Sequence, residues 1–239
     1  MASRRDQKEQ LRREREQREA AASAAAGRRR LIGYLVGGGI VAVAVVLAVV
    51  ILAGGDDSGD SASASVLPSG GSVPEIRDDV ELEAAAKAAG CELKSYPAKG
   101  REHLTDLEQR VNYASDPPTS GNHYQEWAED GAYGENPPDV KEVVHSLEHG
   151  RIVIWFKPKL PADQRANLKA FYDDDVYQML ILPDASGMKY EVAASAWNRE
   201  PVPNGTGRLL ACPKYNDEVF TALETFKDEH RSRGPEAVP

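Results

Sequence analysis

The sequence has 239 residues, of which 41% are hydrophobic and 28% are charged. This is enough for one moderate globular domain with accessory segments, or for two small domains. The formal net charge of −9 at pH 7 argues against a nucleic-acid-binding protein, because phosphate backbones are bound by an excess of Lys and Arg. An acidic surface is instead compatible with solubility, with cations or with basic partners.

An uncharged apolar stretch from Leu31 to Ala53 stands out in the N-terminal part of the chain. As a helix it would be about 34 Å long, which is sufficient to cross the hydrocarbon core of a bilayer. A cleaved signal peptide would have a shorter apolar core and a small-residue cleavage site. The sequence therefore predicts a transmembrane helix over residues 31–53.

The charges on either side of this helix predict its orientation. Residues 1–30 carry ten Lys or Arg and five Asp or Glu, a net charge of +5, so the rest of the chain carries −9 − 5 = −14. By the positive-inside rule, residues 1–30 form a charged cytoplasmic tail. Residues 54–74, rich in Gly, Ser and Asp, predict a flexible linker, and residues 75–239 an extracytoplasmic domain. We thus expect a single-pass protein of the cell membrane.

The exported part predicts an α+β fold. The patterns indicate helices over 74–90, 140–150, 161–175 and 216–231, and strands over 92–98, 109–113, 151–156, 178–183 and 190–197. A turn-rich loop, residues 114–139, lies between the predicted strand 109–113 and the predicted helix 140–150. Helices and strands do not alternate strictly, which favours a single domain with a mixed or antiparallel sheet and flanking helices. A thioredoxin-like or other α/β arrangement is the alternative.

The two cysteines, Cys91 and Cys212, both lie in the predicted exported domain. An oxidising environment lets disulfides persist, so one intramolecular disulfide is the economical prediction. The alternative is two free thiols that act as metal ligands.

Histidines form the main candidate site. Four of the five occur within 47 residues, and His145 and His149 share a helix face beside Glu148. Imidazole and carboxylate groups are good ligands for zinc and copper, which predicts a transition-metal site. Its candidate ligands are His103, His123, His145, Glu148 and His149. The alternative is that the imidazoles hydrogen-bond loop carbonyls and are structural, in an envelope module that binds an unknown protein partner.

Enzymatic activity is weakly indicated. The letters H-S-L-E-H, His145 to His149, fit the inverted zinc-peptidase pattern, but Gly150 ends the helix at once and a strand follows. There is no phosphate-binding loop, nucleophile elbow or C-x-x-C pair, so no catalytic residue is predicted. Trp127 and neighbouring loop tyrosines either face a ligand or anchor the loop. Met188 could be exposed and serve as a soft copper ligand, but a role as a gap-filling residue is favoured.

Several motifs in order resemble a known family: "AAGC", "GREHL", "PPTSGNHYQEWAEDGAY", "VVHSLEHGRIVI", "SAWNR" and "HRSRGPE". Together they resemble the bacterial membrane-anchored family catalogued as domain of unknown function 3105, from about Ala88 to Glu236. The resemblance implies a membrane anchor, an extracytoplasmic domain and no established activity. It places family motif positions on His103, Pro117, Pro118, Ser120, Gly121, His123, Tyr133, His145, Glu148, His149, Gly150, Trp197 and Cys212. The inclusion of all four clustered histidines strengthens the metal hypothesis, but it is equally expected of histidines that fix the loop.

Overall fold

A computed structural model describes residues 67–236 of the chain. The predicted tail (1–30), the predicted transmembrane helix (31–53) and most of the predicted linker (54–74) lie outside this range. Within residues 67–236, no helix combines the length and the apolar character needed to cross a membrane.

The described range is an α+β fold, as predicted, with a mostly antiparallel sheet. Its helices are α1 (Leu82–Ala88), α2 (Val140–Glu148), α3 (Ala162–Asp174) and α4 (Glu218–His230). Its strands are β1 (Glu92–Pro97), β2 (His103–Leu104), β3 (His123–Tyr124), β4 (Gly131–Ala132), β5 (Ile152–Phe156), β6 (Met179–Pro183), β7 (Val192–Asn198) and β8 (Thr206–Cys212). Six strands form one sheet in the order β1-β8-β7-β5-β6-β4, while β2 and β3 pair separately.

The main sheet has hydrophobic packing on both faces. Strands β1, β8, β7 and β5 pair antiparallel, and β5, β6 and β4 pair parallel. Because side chains alternate along a strand, Ile152 and Ile154 of β5 join the core beneath α1, α3 and α4, whereas Val153 and Trp155 join the core beneath α2. The sheet is therefore the middle of three layers, and α2 with its loop occupies the side opposite the other helices.

Local sequence signals explain where α2 begins and ends. The Asp139 side chain accepts a hydrogen bond from the backbone of the first turn, and the Glu142 side chain accepts one from the backbone N–H of Asp139. This capping box satisfies donors that a helix N-terminus leaves free. After the helix, Gly150 adopts φ +82°, a conformation that glycine takes at little cost. Gly150 thus turns the chain from α2 directly into β5.

The predicted pairing of the cysteines agrees with the structure. Cys91 precedes β1, Cys212 ends β8, and their Cα atoms lie 4.2 Å apart with the sulfurs joined as a disulfide. The antiparallel ladder begins at the next residue, where Glu92 pairs with Ala211. The disulfide therefore fixes the edge strand β1 to β8 at one end of their ladder.

The first predicted helix is shorter than expected. Only Leu82–Ala88 is helical, and the chain from residue 74 to 81 is not. In this segment Arg77 forms an ion pair with Glu218, and its backbone N–H donates to Thr221. Tertiary contacts with α4 thus replace the hydrogen bonds that a longer helix would make.

Two strand predictions need correction. Residues 109–113 form no strand, and short strands occur instead at His103–Leu104 and His123–Tyr124. Strand β8 was not predicted, although it lies between β1 and β7 and forms a central part of the sheet. Its sequence, Thr206 to Cys212, follows a Pro- and Gly-rich turn that hid the strand signal.

A smaller difference concerns the start of α3. Pro161 stands at the N-cap of this helix, one position before the predicted first turn.

Candidate metal centre

Two structural units bring the candidate ligands together. The small ladder β2–β3 is parallel and places His103 directly opposite His123. Helix α2 carries His145 and Glu148, which lie on one face because they are three residues apart. The Ser146 hydroxyl donates to the carbonyl oxygen of Ala128 at 2.7 Å, so α2 is fixed against the loop that carries β3. The pairing of a ladder with a helix thus creates the cluster.

Four of the five predicted ligands converge. The rings of His103, His123 and His145 lie at centroid distances of 4.7 Å from one another. Oxygen Oε2 of Glu148 lies 3.0 Å from Nε2 of His123 and 3.4 Å from Nε2 of His103. One potential ligand atom from each of the four residues lies within 4.8 Å of the others, a group that could hold a metal ion. We call these four residues the His3Glu cluster.

The cluster is buried on one side and open on the other. His123 and Glu148 are both 0% exposed and His145 is almost completely buried. The side chain of His103 is 44% exposed, so it forms the solvent-facing wall. An ion bound here would be sheltered by protein while remaining within reach of solvent through His103.

Backbone carbonyls define the tautomers of two of the imidazoles. Nδ1 of His123 lies 2.8 Å from the carbonyl oxygen of Gly121, and Nδ1 of His145 lies 2.7 Å from that of Tyr124. A carbonyl oxygen can only accept a hydrogen bond, so each Nδ1 carries the proton. In the neutral imidazole the lone pair is then on Nε2, the ligand atom. Such orientation through the second ring nitrogen is typical of histidines that bind metals.

Two buried atoms in the cluster have no hydrogen-bond partner within the described residues. They are Nε2 of His123 and Oε2 of Glu148, which face each other at 3.0 Å. With Nδ1 of His123 protonated and the ring neutral, both atoms present lone pairs and repel. Buried polar atoms are nearly always satisfied. A bound cation would satisfy both atoms, and so would a proton on Nε2, which would make the contact an ion pair.

Arg101 completes the environment of Glu148. Its Nε donates to Oε1 of Glu148 at 2.6 Å, and its Nη1 donates to the carbonyl oxygen of Pro203 at 3.2 Å. Burial raises the pKa of Glu148, but hydrogen bonds and charge from His123, when its Nε2 carries a proton, and from Arg101 outweigh that effect and lower the pKa to about 2. Glu148 is therefore an anion at neutral pH, with one oxygen held by Arg101 and the other directed into the cluster.

The electrostatics also favour neutral imidazole at His145. Burial, and secondly the proximity of His123, lower the pKa of His145 to about 4. At pH 7 the ring is unprotonated at Nε2 and available as a ligand. Protons therefore compete weakly with a metal at this position.

His149 does not belong to the converging group. It follows α2 as its C-cap residue, and its ring packs 4.5 Å from the ring of His145 and 5.2 Å from that of Trp127. Its Nε2 lies 3.9 Å from a carboxylate oxygen of Glu236, and its buried Nδ1 has no partner in the described range. Burial, and secondly the proximity of His145, lower the pKa of His149 to about 4.

Three further residues bear on the predictions made from the sequence. Trp127 is 42% exposed and packs against the rings of His145 and His149, so it both faces solvent and borders the cluster. Met188 is buried in the core beneath α2, which agrees with its favoured role as a gap-filling residue and not with the alternative of an exposed copper ligand. Arg101 was missed, although it stands two residues before His103 in "GREHL", a motif that carries the resemblance.

The donor set suits a borderline divalent metal. Zinc binds imidazole nitrogen and carboxylate oxygen at 2.0–2.2 Å in a tetrahedron, which places donors about 3.3 Å apart. The distances from Oε2 of Glu148 to His123 and His103, 3.0 and 3.4 Å, are close to that spacing. Three imidazoles and one carboxylate also suit divalent copper. The residues present therefore fit either ion.

Comparison with known proteins gives a family but no activity. A family described as "Protein of unknown function (DUF3105)" matches residues 104–238, which is more than half of the chain. The match includes His123, His145 and Glu148 and begins one residue after His103. No curated protein and no solved structure matches the chain.

Proposed function

The chain belongs to the DUF3105 family, whose description assigns no activity, and we propose from its site that it binds a transition metal, zinc or copper, outside the cytoplasm. The proposed ligands are the His3Glu cluster. The observation that carries the proposal is the pair of buried, unpartnered atoms, Nε2 of His123 and Oε2 of Glu148. A divalent cation between them would convert a repulsive contact into two coordinate bonds.

The oxidation state follows from the available ligands. Monovalent copper favours thiolate and thioether ligands. Both cysteines are paired in the disulfide, and Met179 and Met188 are buried in the hydrophobic cores rather than in the cluster. Nitrogen and oxygen donors therefore favour Zn²⁺ or Cu²⁺.

The extracytoplasmic location is part of the same proposal. It is supported by the apolar stretch 31–53, by the excess of basic residues before it and by the cysteine pair. In this arrangement the linker holds the metal-binding domain near the outer surface of its membrane, where it would sequester an ion or present it to another envelope component.

The test compares metal content in two variants of the full chain, purified in detergent with a histidine-free tag. Glu148→Gln is nearly isosteric, and its amide can donate to Nε2 of His123 while its oxygen still accepts from Arg101. We expect the wild type to bind about one equivalent of Zn²⁺ or Cu²⁺, measured by elemental mass spectrometry and titration. We expect Glu148→Gln to lose at least about 100-fold in affinity, or about 2.7 kcal/mol, while remaining folded.

His230→Gln is the matched control, because His230 is also buried but lies outside the cluster. It should bind metal as the wild type does. A wild-type chain that takes up neither ion at micromolar concentration would refute the proposal. In that case imidazole nitrogen shifts from NMR would show a doubly protonated His123, paired with Glu148 as a structural ion pair.

An envelope interaction module is the second candidate. The supporting observation is the exposure of Trp127, a residue type enriched at protein interfaces, at the rim of the cluster. Crosslinking in native membranes should then capture a partner in the presence of chelators, and Trp127→Ala should abolish the capture. Capture that requires bound metal would instead support the first candidate.

A further inference from the structure

After α4 the chain turns back across the C-terminal end of α2. We call residues 231–236 the C-terminal strap. The backbone N–H of Ser232 donates to the carbonyl oxygen of Gly150 at 2.8 Å, and that of Glu236 donates to the carbonyl oxygen of Glu148 at 3.1 Å. The strap therefore bonds to the main chain on both sides of His149, including the residue that supplies the carboxylate of the cluster.

Two glycines allow this close approach. A Cβ atom added to Gly234 would lie 2.1 Å from the carbonyl oxygen of Glu148 and 2.3 Å from the backbone nitrogen of Gly150. A Cβ atom added to Gly150 would lie 2.9 Å from the nitrogen of Gly234. Gly150 also needs its positive φ, whereas Gly234 lies outside the left-handed region. At position 234, glycine is thus required for steric reasons alone.

The strap is itself fixed to the sheet. The carbonyl oxygen of Arg233 accepts from the backbone N–H of Arg199, just after β7. The Ser232 hydroxyl donates to the Gln178 side chain, just before β6, at 2.6 Å. Arg231 donates to the carbonyl oxygen of Tyr177. These contacts give the strap a defined position from which it can hold the end of α2.

The position of Glu148 in its helix makes this support important. Glu148 is the last residue of α2, and the last carbonyl groups of a helix have no partner within the helix. Helix ends fray unless those carbonyls are satisfied. Glu236 satisfies the carbonyl of Glu148 through its backbone N–H. The carboxylate that must meet His123 is therefore carried on a turn that depends on the strap.

We infer that the C-terminal strap positions Glu148 for metal binding, with Gly234 and the backbone of Glu236 as the positioning groups. The inference rests on the proposed metal-binding function of the His3Glu cluster. The side chain of Glu236 is not needed for this role, because the bond to Glu148 comes from the backbone. Gly234 and Glu236, which lie 86 and 88 positions beyond the last proposed ligand, Glu148, would thus contribute to the affinity of the site.

The experiment uses three variants of the full chain. Gly234→Ala separates the strap from Glu148, and a chain ending at Pro235 removes the donor to the Glu148 carbonyl. Glu236→Gln removes only the charge. Loss of an outer partner of a metal ligand typically costs 10–100-fold in affinity. We expect about that loss of Zn²⁺ affinity for the first two variants and a change of less than about twofold for Glu236→Gln.

Gly131→Ala is the matched control, because the atoms nearest to its added Cβ would belong to the side chain of Tyr133, at 3.1 Å, and not to the backbone. Two further measurements distinguish positioning from general damage. The Cu²⁺ electron paramagnetic resonance spectrum should change in Gly234→Ala but not in Gly131→Ala. In the metal-free chain, amide hydrogen exchange over residues 145–149 should be faster in Gly234→Ala, while exchange in β5 and β7 is unchanged.

The outcomes separate the two proposals. A wild type that binds metal, with equal affinity and spectrum in Gly234→Ala, would overturn the role of the strap and leave the metal proposal intact. A wild type that binds no metal would overturn the metal proposal. In that event unchanged exchange at residues 145–149 in Gly234→Ala would also overturn positioning, whereas faster exchange would show that the strap holds Glu148 for another purpose.

Discussion

Gly121 and Tyr124 each present a backbone carbonyl to the Nδ1 atom of a histidine in the cluster, at 2.8 and 2.7 Å. The sequence left two alternatives, metal ligands or braces for the loop. At the level of residues both roles are compatible, because Nδ1 bonds the loop while Nε2 faces the cluster. The bracing hydrogen bonds also select the tautomer that leaves Nε2 free to accept a metal, so the same contacts are compatible with both roles.

Buried histidines give the metal-free protein a defined dependence on pH. Burial is the main cause that lowers the pKa of His145, His149 and His230 to about 4, from an ordinary value of 6.5. The unfolded chain then gains protons that the folded chain does not, so the free energy of unfolding falls as pH decreases from 6.5 to 4. The lowered pKa of Glu148 changes the free energy of unfolding only at lower pH, between about 4.5 and 2.

His230 isolates this effect, because it lies outside the cluster. Its Nδ1 shares a hydrogen bond with Asn198, and its Nε2 lies 4.0 Å from a carboxylate oxygen of Glu229. A difference of 2.5 pKa units corresponds to about 3 kcal/mol. Between pH 7 and pH 4, the free energy of unfolding should therefore fall by about 3 kcal/mol less in His230→Gln than in the wild type. Urea unfolding in the presence of a chelator gives the measurement. Equal losses in the two proteins would show that His230 titrates normally in the folded state.

At the level of elements, α2 and β5 are predictable from local sequence, and the elements that complete the site are not. Asp139 and Glu142 form the capping box, and Gly150 supplies the turn into β5. By contrast, β2 and β3 are two residues each, too short for any periodicity, and exist because they pair with each other. Their pairing depends on residues 20 apart in the chain.

The same limits explain which of the candidate residues come together in the cluster. The spacing of His145 and His149 indicates a shared helical face, but α2 ends at Glu148 and His149 becomes the cap. The partnership of Arg101 with Glu148 joins residues 47 apart, which spacing within one helix cannot indicate. Residue types indicated a cluster of His and Glu side chains, whereas non-local pairing decides which of these residues belong to it.

The disulfide makes a separate prediction for the elements it joins. It connects the start of β1 to the end of β8 across 121 residues, and in the chain-entropy account such a loop contributes up to about 4–5 kcal/mol. We expect a Cys91→Ser/Cys212→Ser variant to lose up to this amount in free energy of unfolding, measured in urea. Reductant should destabilise the wild type and leave the variant unchanged; a wild type insensitive to reductant during unfolding would contradict the prediction.

At the level of the whole molecule, the proposed topology predicts how the chain responds to a protease added outside the cell. In spheroplasts, the part from residue 75 onward should be digested while residues 1–30 remain protected, because the positive-inside rule predicts a cytoplasmic location for that basic tail. Epitope tags at either end, detected by immunoblotting, give the measurement. Protection of the C-terminal tag in intact cells, with digestion after lysis, would place the domain in the cytoplasm instead.

The bond between Cys91 and Cys212 also determines what happens to the site when the backbone is cut. All four residues of the His3Glu cluster lie between the two cysteines in the chain, so they belong to one covalent ring. A single backbone cut anywhere from residue 92 to 211 opens that ring but releases no fragment. A nicked molecule therefore keeps its proposed ligands tethered, and its two pieces separate only when the sulfurs are reduced.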